Sequence, residues 1–297
     1  MLFRSGFTKR LAVIFLGQLV AFAMAQAQGQ PGTPFVVHEL QPNVYWIEGG
    51  GGNSGVIIGD KGVIVIDAKI NPAGGKELLD DIAKITPKPV TAVILTHSDL
   101  DHVNGLAAFP AGVTVIAHEG NKKEQEAAIA KGGPGAPPAD HLPSRVITKN
   151  HESLRIDGVK VDVYHWAPAH TSGDLIVYLP RQKVVFTGDI IAVPLPDPLI
   201  HLEKNGSSEG WIETVKGMVS LKSDQFVPGH GDIQTKAAVQ QRLANAEAKR
   251  AKIKDLVAQG KSLDEIKTAV DPPPAASGPG PRFPSFTQVV YEELTKK

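Results

Sequence analysis

The stretch Thr96-His97-Ser98-Asp99-Leu100-Asp101-His102 comes directly after an apolar run, residues 90–95, that has the length and composition of a buried strand. Four of its side chains are potential metal ligands: His97, Asp99, Asp101 and His102. A loop that leaves the end of a strand is a common place for chemistry, because the rigid sheet fixes the loop. Asp101 could also cap the next helix, but a cap needs one residue rather than four. The stretch therefore predicts a metal site at this strand end.

Three later fragments also combine a strand end with a polar side chain. Residues 169–174 read Ala-His-Thr-Ser-Gly-Asp before an apolar strand and contain His170. Residues 187–189 read Thr-Gly-Asp and contain Asp189, and residues 228–231 read Pro-Gly-His-Gly and contain His230. Each fragment alone is typical of an ordinary turn, in which glycine permits close backbone approach. Together and in this order, they indicate side chains that meet in one site.

Strand and helix patterns alternate along the chain in two similar halves. Apolar runs predict strands at 44–47, 56–58, 63–66, 90–95, 113–116, 146–148, 154–156, 159–164, 175–179, 184–186 and 225–227. Helices are predicted at 76–85, 119–130, 210–221 and 236–258, and after Asp101, Ser262 and Ser285. Two sheets packed face to face, with helices outside, bury these patterns. The predicted fold class is α/β, as a four-layer α/β/β/α sandwich.

The composition restricts the chemistry of the predicted site. The chain has no cysteine, which excludes disulfides, thiolate ligands and cysteine nucleophiles. His, Asp and Glu remain as donors, and they suit Zn, Mn or Fe(II). Lys plus Arg and Asp plus Glu both total 31 in 297 residues, so no net positive field favours nucleic acid. We therefore expect a small-molecule substrate and no nucleic-acid partner.

The first 27 residues have the pattern of a secretory signal peptide. Arg4, Lys9 and Arg10 precede an apolar run at 11–23, and small residues at 23–27 offer cleavage sites. The alternative is an uncleaved membrane anchor, which the short apolar run disfavours. We predict a periplasmic or secreted protein without a stable membrane anchor. Its large domain is predicted at 28–260, followed by a C-terminal helical extension at 261–297.

The ordered motifs His-x-x-x-Asp-His, His-Thr-x-Gly-Asp, Thr-Gly-Asp and Pro-Gly-His-Gly resemble those of the metallo-β-lactamase superfamily. The resemblance covers about residues 36–243. It implies the same α/β/β/α sandwich for the domain at 28–260, with a two-metal centre at one edge between the sheets. It also implies a hydroxide between the two metal ions that acts as the nucleophile.

Residue by residue, the resemblance implies one ligand set for each ion. His97, the position of Asp99, and His170 would hold the first metal ion. Asp101, His102 and His230 would hold the second, and Asp189 would bridge both. Asp101 is also the candidate catalytic residue, since its carboxylate could orient the attacking hydroxide. Zn is the first expectation for both ions, with Mn or Fe as alternatives.

Asp99 is a departure, because the family usually has His at this position. In one interpretation Asp99 still binds the first ion, since its carboxylate oxygen lies as many bonds from Cα as the near ring nitrogen of His. In the other, the first ion is weakly held or absent, and the protein works with one metal or only binds it. With Asp99 as a ligand, the site has three negative charges instead of two. We then expect a weaker Lewis acid and a harder first shell that favours Mn or Fe more than usual.

The bridging position of Asp189 resembles the glyoxalase II, lactonase and phosphodiesterase branches, whereas a secreted location fits lactamases. We predict a metallo-hydrolase that acts on an ester, thioester, lactone or lactam. The alternatives are a β-lactamase proper and a metal-binding relative without activity. The loop at 194–210, with His201 and Lys204, could line the site. Asn53 could offer an oxyanion donor, but a plain turn is the simpler interpretation.

Overall fold

The computed structural model of the protein describes residues 34–132, 136–137, 139–271 and 283–296. The predicted signal peptide at 1–27 lies outside these residues. Within the described ranges, none of the helices has the length and apolar character needed to cross a lipid bilayer. The division into a domain at 28–260 and an extension at 261–297 stays a prediction.

The first sheet has seven strands that lie side by side in chain order. They are β1 Val36–Gln41, β2 Val44–Glu48, β3 Ser54–Ile58, β4 Val63–Ile66, β5 Val90–Ile94, β6 Thr114–His118 and β7 Arg145–Ile147. Neighbours from β1 to β4 are antiparallel, and neighbours from β4 to β7 are parallel. The carboxyl ends of β4 and β5 therefore lie at the same edge.

The second sheet has five strands in the order β12-β11-β10-β9-β8. They are β8 His151–Ile156, β9 Val159–Tyr164, β10 Ile176–Leu179, β11 Val184–Phe186 and β12 Gln225–Val227. Only β11 and β12 are parallel neighbours, so their carboxyl ends also share an edge. Each strand predicted from the sequence is present, and β8 begins three residues earlier than predicted.

Helices flank the sheets, in agreement with the predicted fold class. They are α1 Pro72–Ile85, α2 Leu100–Val103, α3 Glu119–Lys131, α4 Ser208–Ser220, α5 Lys236–Ala258, α6 Leu263–Val270 and α7 Phe286–Thr295. Helix α1 begins four residues earlier than predicted, because the Asn71 side chain accepts from Gly74 N and Pro72 occupies the first turn. The capping box predicted at Ser262 and Glu265 is present.

Three apolar clusters hold the layers together. In β4, Ile64 and Ile66 face the cluster between the two sheets, whereas Val63 and Val65 join the cluster that contains α1. The outer face of the second sheet packs against α4, α5, α6 and α7, with Trp211 in that third cluster. A strand that buries both faces must be apolar throughout. This explains why the strand runs of the sequence show little alternation.

The loop at 49–53, between β2 and β3, lies against the predicted ligand stretch. A Cβ added to Gly52 would lie 2.1 Å from the His102 ring, so only glycine fits there. Asn53 donates from Nδ2 to Pro228 O at 3.0 Å and to Gly231 O at 2.9 Å. Both N–H bonds of its side-chain amide are therefore used within the protein. This favours the interpretation of Asn53 as a turn residue over its interpretation as an oxyanion donor.

Lys69 fixes this loop from beneath. Its side chain is fully buried, and its Nζ donates to Ile47 O at 2.7 Å and to Gly52 O at 2.9 Å. Nζ also lies 4.9 Å from the centre of the Phe35 ring. Burial lowers the pKa of Lys69 to about 7, although Asp67 and other carboxylates act in the opposite direction.

We predict that Lys69 makes the stability of the protein depend on pH. Its pKa is about 7 in the folded state against 10.5 for an ordinary lysine, so between these values the unfolded chain binds more protons. The free energy of unfolding should therefore gain up to about 1.4 kcal/mol per pH unit from this residue as pH rises. In urea unfolding at pH 7, 8 and 9, wild type should gain stability relative to Lys69→Met. Parallel pH profiles would contradict the prediction, and exposed Lys61→Met is the control.

Candidate metal centre

The two sheets bring the predicted site residues to one edge of the sandwich. Asp67 follows β4 and His97 follows β5 in the first sheet. Asp189 follows β11 and His230 follows β12 in the second sheet. His170 lies in the loop between β9 and β10. Strand ends that are far apart in the sequence therefore converge, as the motif order predicted.

One group of donor atoms comprises His97, Asp99, His170 and Asp189, all within 4.8 Å of one another. Asp99 Oδ2 lies 3.2 Å from His170 Nε2 and 3.8 Å from His97 Nε2. Asp189 Oδ2 lies 3.9 Å from His97 Nε2. Separations of this size suit neighbouring ligands around one ion with metal–ligand distances of about 2.1 Å. This group corresponds to the ligand set predicted for the first metal ion, with Asp189 added.

A second group comprises Asp101, His102 and His230. Asp101 Oδ2 lies 3.2 Å from His230 Nε2 and 3.8 Å from His102 Nε2. Asp189 reaches this group as well, with Oδ1 3.3 Å from His102 Nε2 and Oδ2 3.4 Å from His230 Nε2. Asp189 therefore lies between the two groups, at the position predicted for a bridging ligand.

The imidazoles are oriented by contacts on their Nδ1 atoms. His97 Nδ1 contacts Thr96 Oγ1 at 2.9 Å, and His170 Nδ1 contacts Leu199 O at 2.9 Å. This leaves Nε2 of each ring directed at the carboxylates, as in metal sites with an ordered outer shell. Nε2 of His97 and Oδ1 of Asp189 are buried without a well-formed hydrogen bond. Buried polar atoms without partners at the centre of such a cluster fit a bound cation.

Asp67 belongs to the site although the sequence analysis did not include it. Its Oδ2 contacts His102 Nδ1 at 2.8 Å, and its Oδ1 accepts from Thr96 N at 2.8 Å. One carboxylate thus joins the ends of β4 and β5 and orients His102. Its backbone has a positive φ of 59°, which is uncommon outside glycine. The signal that could have revealed Asp67 is an aspartate directly after an apolar strand, a pattern close to the Thr-Gly-Asp fragment that follows β11.

Burial and the carboxylates set the charge of the innermost groups before metal is bound. Burial would lower the pKa of His102, but Asp189 and Asp67 raise this pKa well above its ordinary value. Burial lowers the pKa of His97 well below its ordinary value, and the neighbouring His102 adds to this effect. Burial would raise the pKa of Asp189, but His102 holds it well below the usual range. Asp189 is therefore ionised.

Two further histidines are protonated near neutral pH before metal is bound. Burial opposes the charged form of His170, yet the contact with Asp99 raises its pKa to about 9. Burial also opposes the charged form of His230, and contacts with Asp101 and Asp189 raise its pKa to about 9. Metal ions bind the neutral imidazole, so both rings must lose a proton when they become ligands.

Two residues of the loop at 194–210 contact Asp99, so this loop lines the site, as predicted. The Lys204 ammonium pairs with Asp99 Oδ1 and donates to Ser98 Oγ at 3.0 Å. His201 Nε2 lies 3.1 Å from Asp99 Oδ2. Burial would raise the pKa of Asp99, but its contacts with the His170 and His201 rings hold it far below its usual range. The sequence predicts a weaker Lewis acid, because the site has three carboxylates instead of two. The Lys204 ammonium offsets the negative charge of one of them, Asp99.

A family model described as the metallo-beta-lactamase superfamily matches residues 47–230. The chain is similar to the 2,4-dinitroanisole O-demethylase subunit alpha of Nocardioides sp. (strain JS1661), with 27% identity over 59% of this chain and 51% of that one. It is also similar to the type 2 metallo-beta-lactamase of Bacillus sp. (strain 170), with 25% identity over 62% of this chain and 68% of that one.

Among solved structures, the chain resembles the stereoselective inverting sec-alkylsulfatase Pisa1 from Pseudomonas sp. The TM-score is 0.66 at 19% identity, over 88% of this chain and 50% of that one. A likeness at this identity supports the fold alone. The chain spans about half the length of the demethylase subunit and of a similar linear primary-alkylsulfatase from Pseudomonas sp. (strain ATCC 19151).

We predict that metal uptake releases protons. His102, whose pKa is raised well above its ordinary value, and His170 and His230, each with a pKa of about 9, should together release about three protons near pH 7 when both ions bind. Metal affinity should accordingly rise as pH increases from 7 to 9. Calorimetry in buffers of different ionisation enthalpy measures the protons released per ion. An apparent binding enthalpy that does not vary among the buffers would contradict the prediction, and His151→Ala, outside the site, should behave as wild type.

Proposed function

The chain belongs to the metallo-β-lactamase superfamily, and from this premise we propose that it is a two-metal hydrolase of small carbonyl substrates. The observation that supports this most is the place of Asp189, whose Oδ2 lies 3.9 Å from His97 Nε2 and 3.4 Å from His230 Nε2. A carboxylate shared in this way by two groups of donors suits a pair of ions about 3.5–4 Å apart. The substrates we propose are an ester, thioester, lactone or lactam.

Two bound ions would lower the pKa of a water molecule and polarise the substrate oxygen. The protein's own residues would fix the geometry. Asp101 is the most exposed of the described carboxylates at the site, with 28% of its side chain exposed, so it can contact an incoming water or substrate. Burial would raise the pKa of Asp101, but its contact with His230 lowers it. Asp101 is then an ionised acceptor that can orient the attacking group.

For the metal we propose Zn first and Mn or Fe second. The described donors are imidazoles and carboxylates, which all three metals accept. Lys204 brings the local charge of the three carboxylates closer to that of a site with two, which supports Zn despite the added Asp99. We also propose a periplasmic or secreted location, on the basis of the signal-peptide pattern at 1–27.

We expect Asp99→Ala to lose one of two bound ions. Asp99 Oδ2 lies within 3.8 Å of two imidazole nitrogens of the first group, so its removal deprives that ion of a donor. The measurement is metal content per chain after gel filtration, by elemental analysis. Asp197→Ala, a carboxylate on the segment before α4, is the control and should keep the metal content of wild type. Equal metal content in Asp99→Ala and wild type would show that Asp99 is not a ligand.

We expect the metal-loaded protein to hydrolyse at least one class in a panel of esters, thioesters, lactones and β-lactams. An alkyl sulfate should be included because of the similar alkylsulfatases. Activity should disappear on chelation and return with Zn or Mn, and Asp101→Asn should lower kcat about 10²–10⁴-fold, the range for a positioned acid–base group. Turnover of the lactam alone would favour the β-lactamase alternative. Tight metal binding without any turnover would favour a non-catalytic relative and contradict the proposed hydrolase.

A further inference from the structure

His201 lies next to the first group of donors without belonging to any of the sequence motifs. Only 3% of the residue is exposed. Its Nε2 is buried and makes no well-formed hydrogen bond, although it lies 3.1 Å from Asp99 Oδ2. A buried imidazole nitrogen that faces a carboxylate oxygen without bonding to it has an unsatisfied lone pair or proton. This atom therefore calls for a partner that the described residues do not supply.

Three imidazoles converge on one oxygen of Asp99. The distances from Asp99 Oδ2 to Nε2 are 3.1 Å for His201, 3.2 Å for His170 and 3.8 Å for His97. Ligands at about 2.1 Å from one ion are separated by about 3–4 Å, so these distances are those of neighbours in one coordination shell. The Lys204 ammonium occupies the other oxygen, Oδ1, so Asp99 has a single oxygen to offer an ion.

The outer side of the His201 ring has the contacts expected of a metal ligand. Its Nδ1 contacts Glu203 Oε1 at 2.5 Å, a carboxylate–histidine pair of the kind that orients ligating imidazoles. The ring also packs edge-on against Phe283, with 4.6 Å between the ring centres. These contacts limit rotation of the ring and keep Nε2 on the side of Asp99.

The backbone ties His201 to His170. His201 N donates to His170 O at 2.8 Å, and Gly206 N donates to His201 O at 3.0 Å. A Cβ on Gly206 would lie 2.4 Å from His170 O, so the segment that carries His201 packs directly on the His170 backbone. The position of one imidazole thus follows that of the other.

We propose that His201 is a further ligand of the first metal ion. It would supply the third imidazole that a histidine at position 99 would otherwise provide. The inference rests on the proposed two-metal site. His201 is outside the group of four whose donors all lie within 4.8 Å of one another, so it would reach the ion from the Asp99 side and would have to shift toward the other three ligands. The first ion would then have His97, His170, His201 and one oxygen each of Asp99 and Asp189. Such a five-membered set explains how a site with Asp at a His position retains three imidazoles.

The test uses the full-length protein loaded with Co(II). Each imidazole that binds Co(II) and keeps its N–H gives one strongly shifted, solvent-exchangeable proton resonance. His201→Ala and His201→Gln should each lose one such resonance relative to wild type. In chelator competition, both variants should hold one of the two ions at least about tenfold more weakly, since even outer-shell changes cost 10–100-fold. Thermal unfolding of the metal-free variants checks that they fold. If His201→Ala does not fold, His201→Gln, which keeps a long polar side chain, serves as the test.

Two controls separate ligation from other roles. Lys204→Met also removes a contact of Asp99, but it should keep the full number of resonances because Lys204 is not a ligand. His151→Ala removes an imidazole whose side chain is half exposed, and it should change neither measurement.

The outcomes distinguish this inference from the proposed function. If the folded His201 variants keep every resonance, His201 is not a ligand. This conclusion stands even if their metal affinity falls, because loss of the ring can also disturb Asp99. If wild type binds two ions and the variants match it in both measurements, only the role of His201 is overturned. If wild type itself takes up a single ion and none at the His97 group, the proposed two-metal site fails and the inference fails with it.

Discussion

The contact of Asp189 with His97 and His102 is the interaction on which the site depends. Asp189 extends from the second sheet, whereas both histidines follow β5 of the first sheet. Asp189 and both histidines are almost fully buried. Ionised groups can be buried only when opposite charges or metal ions compensate them, so the two sheets must meet in one register at this edge. Asn53, which donates from one sheet edge to Pro228 and Gly231 near the other, fixes the same register.

Charge compensation also explains how the cluster accommodates Asp99 at a position where the resemblance implied a histidine. An aspartate in place of a histidine adds a negative charge to a buried cluster. Lys204 contacts one oxygen of Asp99 and His201 approaches the other, so the added charge is met by two residues of a single loop. The change at position 99 is thus accompanied by a loop built around it.

Local patterns were enough to predict the sandwich and the main donors. Strand β4 was predicted because four apolar, mostly β-branched residues between turn signals are typical of a buried strand, and His97 because four potential ligands follow the end of β5. The fold class and the family predicted from these patterns are confirmed by the two sheets and by the family match over residues 47–230. The ligand role of each residue stays a prediction.

The individual contacts of the other site residues could not be predicted, because they join residues that are distant in the sequence. Lys204 meets Asp99 across 105 residues of chain, and His102 meets Asp67 across 35. The sequence around Lys204 does not distinguish it from an exposed lysine. The sequence around Lys69 likewise does not distinguish it from an exposed lysine just before a helix. Only the folded chain shows that Lys69 is fully buried beneath the loop at 49–53. Local periodicity reports which face is buried, but it does not report which polar groups meet there.

The claim that Asp189 joins two metal ions is tested most directly by anomalous X-ray scattering from crystals grown with Zn or Mn. We expect two anomalous peaks about 3.5–4 Å apart, one on each side of the Asp189 carboxylate. One peak should lie beside His97 and His170, and the other beside His102 and His230. A single peak, or two peaks that do not share Asp189, would contradict the claim.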